Sequence, residues 1–444
     1  MYWSKLFAGA LLLACCVGSA WAQPKTNSPY SRVGLGDPFP QTFAQLQGMG
    51  NIAGAYHDAR SLNLVNPASY GYLRTTAFEV GIFARNSTIE SNGESENLWS
   101  GNLAYLALGF PIKNPLNNLL DRKKDPFQWG MTFALLPFST VGYDIEIQDF
   151  VEGADTIVNL FEGTGGSYRL VWGNGFKYKN FSFGINLAYL FGKINNDKSI
   201  LFTELGSVYT NDLHDDFRVS GFIWDAGFNY DYLFKRIDKD GKEVPTGEFV
   251  TVGLYGSSNN SFTTSRTRLY RKFNRLYGHL DTLSFENEIR GDGTLPSKIG
   301  LGVMWGKDLK WQVGTNFEAT QWSNYRNDAQ PDVLQDAWNF SVGGEWIPNV
   351  RSYNSYAKRI RYRAGLYYGT DPREDSNGEQ LTDYGANLGF GLPVILPQGR
   401  TSFVNFSFNF GQFGSDNAIR ETYTRFSVGF TLNDSSWFLK RKFN

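Results

Sequence analysis

The sequence predicts an all-β protein, a transmembrane antiparallel β-barrel of about fourteen strands. Three observations carry this prediction. Long segments alternate apolar and small or polar residues with period two. No apolar run reaches the roughly 18 residues that a helical span needs. The first residues read as an export signal.

The stretch 161–194 shows the alternation most clearly, with a two-residue pause at Lys179-Asn180. Phe181, Phe183, Ile185, Leu187, Tyr189 and Phe191 share one face. Ser182, Gly184, Asn186, Ala188, Leu190 and Gly192 share the other. Before the pause, Tyr168, Leu170, Trp172, Phe176 and Tyr178 fall on one side. Strands of soluble sandwiches usually run five or six residues. Ten residues at ~3.3 Å each, tilted about 40°, cover roughly 25 Å, the height of an outer-membrane barrel's apolar band. The hairpin therefore reads as two adjacent staves, aromatics toward lipid and small polar groups toward a lumen.

The export signal comprises Lys5, an apolar core from Leu6 to Val17, and Ala20-Trp21-Ala22 as an A-x-A cleavage site before Gln23. Cys15 and Cys16, the only two cysteines, fall inside it. A mature chain cut there carries no disulfide, thiolate metal site or cysteine nucleophile. The net charge of −1 over 444 residues gives no basic excess for nucleic acid. Aromatics make up 16% and glycines number 48, and mean hydropathy is −0.35. One polar face per strand hides a barrel in such averages.

Four regions follow along the chain. Residues 1–22 are the signal, 23–75 a compact, irregular segment, 76–432 the barrel and 433–444 a periplasmic tail. The irregular segment contains no long alternation. Ser28 to Ser31 and Gly34 to Pro40 are turn-rich. Gly48 to Ala55 either starts a short helix or fills a cramped space. Fourteen candidate strands run from Thr76 to Leu432, an even number, as bacterial barrels have. With residue 76 entering from the periplasm, Lys179-Asn180 and Gly306-Lys307-Asp308 are short periplasmic turns. The connections 111–126 and 235–247 are longer. Outer loops are expected at 148–156, 206–216 and 271–281, among others. Late strands alternate well: Val404, Phe406, Phe408 and Phe410 oppose Asn405, Ser407, Asn409 and Gly411. The tail from Trp437 to Phe443 is aromatic and basic, which suits either an interfacial segment or a frayed end.

On these residues the chain resembles the FadL family of outer-membrane transporters for hydrophobic compounds, in the form common in Bacteroidetes-type bacteria. The carriers are Asn66-Pro67-Ala68 closing the irregular segment, and Glu162-Gly163-Thr164-Gly165-Gly166 in the fourth strand. Tyr189-Leu190-Phe191-Gly192 and Leu295 to Gly302 complete the set. The resemblance implies a fourteen-stranded barrel plugged from inside by an N-terminal lumenal hatch, which residues 23–75 match in place and size. It also implies an apolar ligand that leaves sideways through a kinked strand. Two departures from the pattern, the chain running on to Asn444 and the long periplasmic connections, leave room for a protein partner.

Candidate site residues are few. Asn66, Pro67 and Ala68 mark the hatch. Pro137, inside the long third strand, lacks a ladder donor and predicts a kink or bulge, with or without a gating role. Arg359, Arg361 and Arg363 fall on one face of the eleventh strand, where they either pair with hatch carboxylates such as Asp58 or meet an anionic ligand. Arg266, Arg268, Arg271, Lys272 and Arg275 lie near the outer end of the seventh strand, as a solvated loop or a grip on lipopolysaccharide phosphates. Asn211 to Asp216 reads as a solvated loop. His57, His214 and His279 fit no metal spacing, and no G-x-S-x-G, Walker or H-E-x-x-H motif occurs. Asp144 and Glu146 share one strand face, which alone suggests no acid–base pair.

The expected protein is therefore no enzyme, needs no cofactor or metal, and sits in the bacterial outer membrane among its lipids and lipopolysaccharide. Two functions follow. One is passive, laterally exiting diffusion of hydrophobic small molecules such as long-chain fatty acids or aromatic hydrocarbons. The other is an accessory barrel in an outer-membrane secretion or assembly machine.

Overall fold

A computed structural model describes residues 26–91, 93–113, 126–151, 155–202, 209–237, 243–274, 277–375, 377–396, 400–415 and 419–435. The expected signal (1–22), most of the 111–126 connection, Arg275 and the tail from Trp437 lie outside the described residues.

Fourteen antiparallel staves close into one ring. They are β1 (Thr76–Ser91), β2 (Glu94–Pro111), β3 (Phe127–Val151), β4 (Asp155–Tyr178) and β5 (Phe181–Phe202). Next come β6 (Tyr209–Ile237), β7 (Glu243–Ser257 continued by Asn260–Asn274) and β8 (His279–Leu295 continued by Lys298–Lys307). The rest are β9 (Trp311–Thr320), β10 (Ala337–Trp346), β11 (Arg361–Glu374), β12 (Gln380–Leu396), β13 (Arg400–Gly414) and β14 (Ile419–Asp434). β14 pairs with β1 from Ile419↔Ser91 to Asp434↔Thr76, which closes the cylinder. Hydrocarbon offers no hydrogen bonds, so a lipid-facing sheet must bond its edges to each other.

The alternation sets the faces. In β5, Phe181, Phe183, Leu187 and Tyr189 are exposed on the outer wall, while Ser182, Asn186, Ala188 and Leu190 are buried inside. β13 repeats this, with Phe410 outside and Asn405, Ser407 and Asn409 buried. The β4–β5 turn needs only Lys179-Asn180, with Lys179 at φ 54°.

Residues 26–75 lie inside the ring. Their regular elements are short: turns at Pro29–Arg32 and Pro67–Tyr72, a two-residue strand at Asp37–Pro38, and one helical turn at Ala44–Gln47. The segment meets every stave. Leu62 N donates to Glu79 on β1 (2.6 Å), and Ala44 N to the Tyr105 hydroxyl on β2 (3.2 Å). Ser31 Oγ donates to Gly142 O on β3 (3.0 Å), and Pro67 O fills the place of a Cβ at Gly175 on β4. Asn186 on β5 donates to Leu64 O (3.0 Å), and Tyr72 donates to Asp231 on β6 (2.8 Å). His57 meets Thr251 on β7 (3.2 Å), Gly54 packs on Gly302 of β8, and Gly54 N donates to Asn316 on β9 (2.9 Å). Met49, Gly50 and Gly48 lie against Gly343, Gly365 and Gly389 on β10, β11 and β12. The helical turn packs on β13, and Tyr30 donates to Ile419 O on β14 (2.9 Å). A segment that touches all fourteen staves of a closed ring can only be within it.

Several expectations need correction. Strands run far above the apolar belt, β6 reaching 29 residues. The expected outer loops 148–156, 206–216 and 271–281 are mostly strand, and the periplasmic connection 235–247 is mostly ladder. Polarity there reports water beside the wall, not the absence of a ladder. Asn211 to Asp216 is strand paired to β5 and β7. Its acids face the basic run directly: Asp215 lies opposite Arg268, and Arg266 forms a two-pronged pair with Asp215. Arg271 meets His214, so these cations hold a ladder and do not form a loop. β7 and β8 are each broken once, at Ser258-Asn259 and at Pro296-Ser297. The helical turn precedes Gly48 and Gly48 caps it, so Gly48 to Ala55 fills the cramped space. Arg359 is not on β11; it ends the turn Ala357–Arg359 below the strand.

Replacing Leu187, midway up the lipid face of β5, by Arg should cost about 2–4 kcal/mol in reversible unfolding from bilayers. The same change at exposed Glu146, on the water-washed extension of β3, should move the midpoint little.

Candidate functional site

The sequence singled out Asn66-Pro67-Ala68, and the local geometry explains each residue. Asn66 caps the turn Pro67–Tyr72, its side-chain oxygen accepting from Ala68 N at 3.1 Å. Its amide also donates to Gly54 O, tying the two halves of the inner segment. Pro67 occupies the first turn position, where an N–H would have no partner. Its carbonyl abuts Gly175 and Gly184, where any Cβ would collide. Ala68 is fully buried. Beyond the turn, Tyr70 donates to Asn186 at 2.9 Å. Tyr72 stacks on His57, and Asp231 joins His57 and Lys177 beside them.

Arg361 and Arg363 enter the lower lumen. Arg361 Nη1 donates to Asp58 Oδ2 at 2.8 Å and lies 3.7 Å from Glu345. Arg363 Nε donates to Glu345 Oε2 at 2.7 Å, and its Nη1 to Asn405 at 2.9 Å. Two cations and two anions cancel, so the cluster carries no net charge toward an anionic ligand. Burial alone pushes the Asp58 carboxyl up, but the Arg361 guanidinium outweighs it and holds Asp58 below the usual carboxylate range. The inner segment is thus pinned to β11 by a buried ion pair.

Pro137 marks a stretch where the ring is thinly sewn. β2 and β3 pair only from Leu106↔Leu135 to Pro111↔Gly130. Pairing ends two residues before Pro137, which has no N–H to offer. On the β4 side the register steps at Phe138, between Pro137↔Tyr168 and Ser139↔Ser167. Above that point the two staves share no ladder. The inner segment fills the seam: Asp37 and Pro38 pair with Thr140 and Ser139, and Phe39 N donates to Phe138 O at 3.0 Å. Gln41 donates to Pro137 O (3.1 Å), and Asn27 reaches Trp99 O on β2 (3.0 Å).

Sequence reasoning missed the clasp that holds this filler strand. Arg373 on β11 is buried and bonds Asp37 as well as Asp371, and donates to Tyr30 O at 2.8 Å. Nothing in Asp371-Pro372-Arg373 marks that role before the ring closes. Asn66, Arg361 and Pro137 thus serve different places: a turn, a lower ion pair and an upper seam. Among the described residues no cluster of His, Cys, Asp or Glu has metal-binding geometry.

A closed antiparallel barrel of fourteen staves has the architecture of outer-membrane barrels of FadL type. The structure resembles a Pseudomonas aeruginosa FadL homologue with 12% identity and TM-score 0.55, over 89% of this chain and 99% of that one. It is also similar to a deltaS2S3 mutant of the TodX monoaromatic hydrocarbon channel, at 14% identity and TM-score 0.54, over 88% and 99% of the two chains. The Ralstonia pickettii toluene transporter TbuX matches at 11% identity and TM-score 0.51, over 88% and 98%. Likeness at such identities concerns the fold. Among curated proteins none matches by sequence. The chain belongs to the BamG family, whose model matches residues 5–444.

Arg361→Ala would leave the Asp58 carboxylate buried without its cation, while Glu345 keeps Arg363, and should cost roughly 3–5 kcal/mol in unfolding experiments. The depressed Asp58 carboxyl contributes stability that is complete above its unfolded pKa and fades as pH falls through the lower folded value. Asp58→Asn should therefore be less stable than the parent at pH 7, and its stability should fall less on acidification to pH about 3.

Proposed function

We propose that this BamG-family barrel is an accessory subunit of an outer-membrane assembly or secretion machine, with residues 23–75 as a hatch that stays seated. The observation that carries the reading is the filled lumen. Leu46, Met49, Leu62, Ala68 and Tyr70 are all 0% exposed, and the hatch meets every stave. Where hatch backbone meets wall glycines, as at Gly48–Gly389 and Gly54–Gly302, no apolar ligand fits between them. Membership of a family named apart from the transporters that share the fold supports it too. The barrel lies in the outer membrane, its aromatic belt against lipid, and offers its rims and loops to protein partners. No residue is assigned a catalytic role.

The seam favours a second reading, passive diffusion of hydrophobic small molecules with lateral exit between β2 and β3. The fold shared with a FadL homologue and with the TodX monoaromatic hydrocarbon channel supports it. On this reading Pro137 makes the gate and Asp37–Pro38 must leave β3 to open it.

Two measurements separate the readings. Isolation in mild detergent after cross-linking should recover stoichiometric outer-membrane or periplasmic partners; recovery of this chain alone would remove the subunit reading. Pro38→Cys with Ser139→Cys places a disulfide across the seam in a mature chain that otherwise lacks thiols. Locking it should leave growth and partner recovery unchanged. If the lock stopped uptake of a labelled fatty acid or toluene that the unlocked protein admits, the channel reading would replace the first.

A further inference from the structure

The outer wall carries a patch that neither reading uses. The ladder registers place residues of β5, β6, β7 and β8 in level rows. Lys193 lies opposite Arg218, Arg218 opposite Ser265, and Ser265 opposite Arg290. All four project outward, because their neighbours Ile194, Phe217, Val219 and Thr264 are buried inside. One row below run Phe191, Ser220, Thr263 and Asp292. Below that, Tyr189 faces Phe222, which is 80% exposed. Moving up the wall, apolar rings give way to hydroxyls and then to cations within three rows. That is the order of a bilayer's headgroup boundary, and parity puts it at the outer leaflet.

The rows border a groove of about 690 Å³. Strands stand about 4.8 Å apart, so Lys193 to Arg290 spans roughly 14 Å. Like charges directly opposite on neighbouring strands repel, and Lys193 faces Arg218. Lys193 has an exposed pair with Asp216 at 3.0 Å, a contact of little strength in water. The side chains of Arg218 and Arg290 have no ion pair or hydrogen bond among the described residues. An anion between Lys193 and Arg218 would relieve the repulsion. Ser220 Oγ and Thr263 Oγ1 lie 3.1 Å apart beside them, and Glu288 and Asp292 border the far side of the groove. A bare phosphate satisfies only the cations. A phosphorylated sugar also uses the hydroxyls and acids, and acyl chains would run down over Phe191 and Phe222.

We propose that this groove holds the phosphorylated sugar headgroup of an outer-leaflet glycolipid, its phosphate between Lys193 and Arg218. The inference rests on the outer-membrane placement and stands whether the barrel is a subunit or a channel. Density-gradient fractionation of cells checks that placement separately, so the two failures are distinguishable.

The test is titration of the purified full-length barrel with fluorescent diphosphoryl lipid A. Lys193→Ala with Arg218→Ala should weaken binding at least tenfold, at about fivefold per cation. Lys235→Ala, on the opposite rim, should change nothing. Phosphate-free lipid A and phosphatidylglycerol should compete poorly with the probe. Wild-type affinity in the double variant would overturn the proposal, as would effective competition by either lipid. Heat-modifiable migration reports folding. Should the double variant not fold, Arg218→Gln must lose affinity while Arg218→Lys keeps it within about twofold, and equal affinity of the two would overturn it.

Discussion

Every level of this structure answers to one constraint: backbone polar groups cannot be left open in hydrocarbon. The wall meets it by closing β14 onto β1. Closure then creates a second problem, an interior that must be filled. Strands turn every other residue inward, and on this chain those positions mix glycine, serine, asparagine and a few charges with apolar residues such as Tyr105, Leu136 and Phe217. They cannot fill the ring alone. The N-terminal segment fills it, with backbone lying directly on wall glycines.

The fit between segment and wall is polar as much as apolar. Asn66, Asn186 and Asn316 bond segment backbone or tie it to the wall, and Asp58–Arg361 and Asp37–Arg373 pin it to β11 at two points. Buried ion pairs add little net stability against apolar replacements, yet losing one partner is costly. Such pairs specify position. They hold a segment with little regular structure in one arrangement, at a depth where any misplaced charge would be unpaired.

The seam is the place where the first constraint is met differently. Pro137 cannot donate, the β2–β3 ladder stops two residues below it, and a strand from inside supplies the missing partner. In a barrel whose wall is closed by its own inner segment, lumen and wall are one mechanical unit. Any movement of Asp37–Pro38 must break the clasp to Arg373 as well as the pairing to β3. That coupling explains why the same geometry can serve a seated subunit or a gated channel, and why locking the seam tells them apart.

The barrel was legible in the chain: strand number, faces and the turns at Lys179-Asn180 and after Lys307 follow from period-two alternation, a local property. Pro137 stood out for its missing donor, which is local too, whereas Asn66-Pro67-Ala68 was marked by the family resemblance, and the capping that explains it needed the fold. The remaining contacts exist only once the ring has closed. Asp37 meets Arg373 and Asp58 meets Arg361 across more than 300 residues of sequence, and no periodicity encodes such partners. The extra height of β6 and β7 was hidden because charged residues above the belt look like loop until a facing strand neutralises them, as Arg266 does Asp215. Arg359 shared the parity of Arg361 and Arg363, but parity has meaning only inside a ladder, and the ladder begins at Arg361.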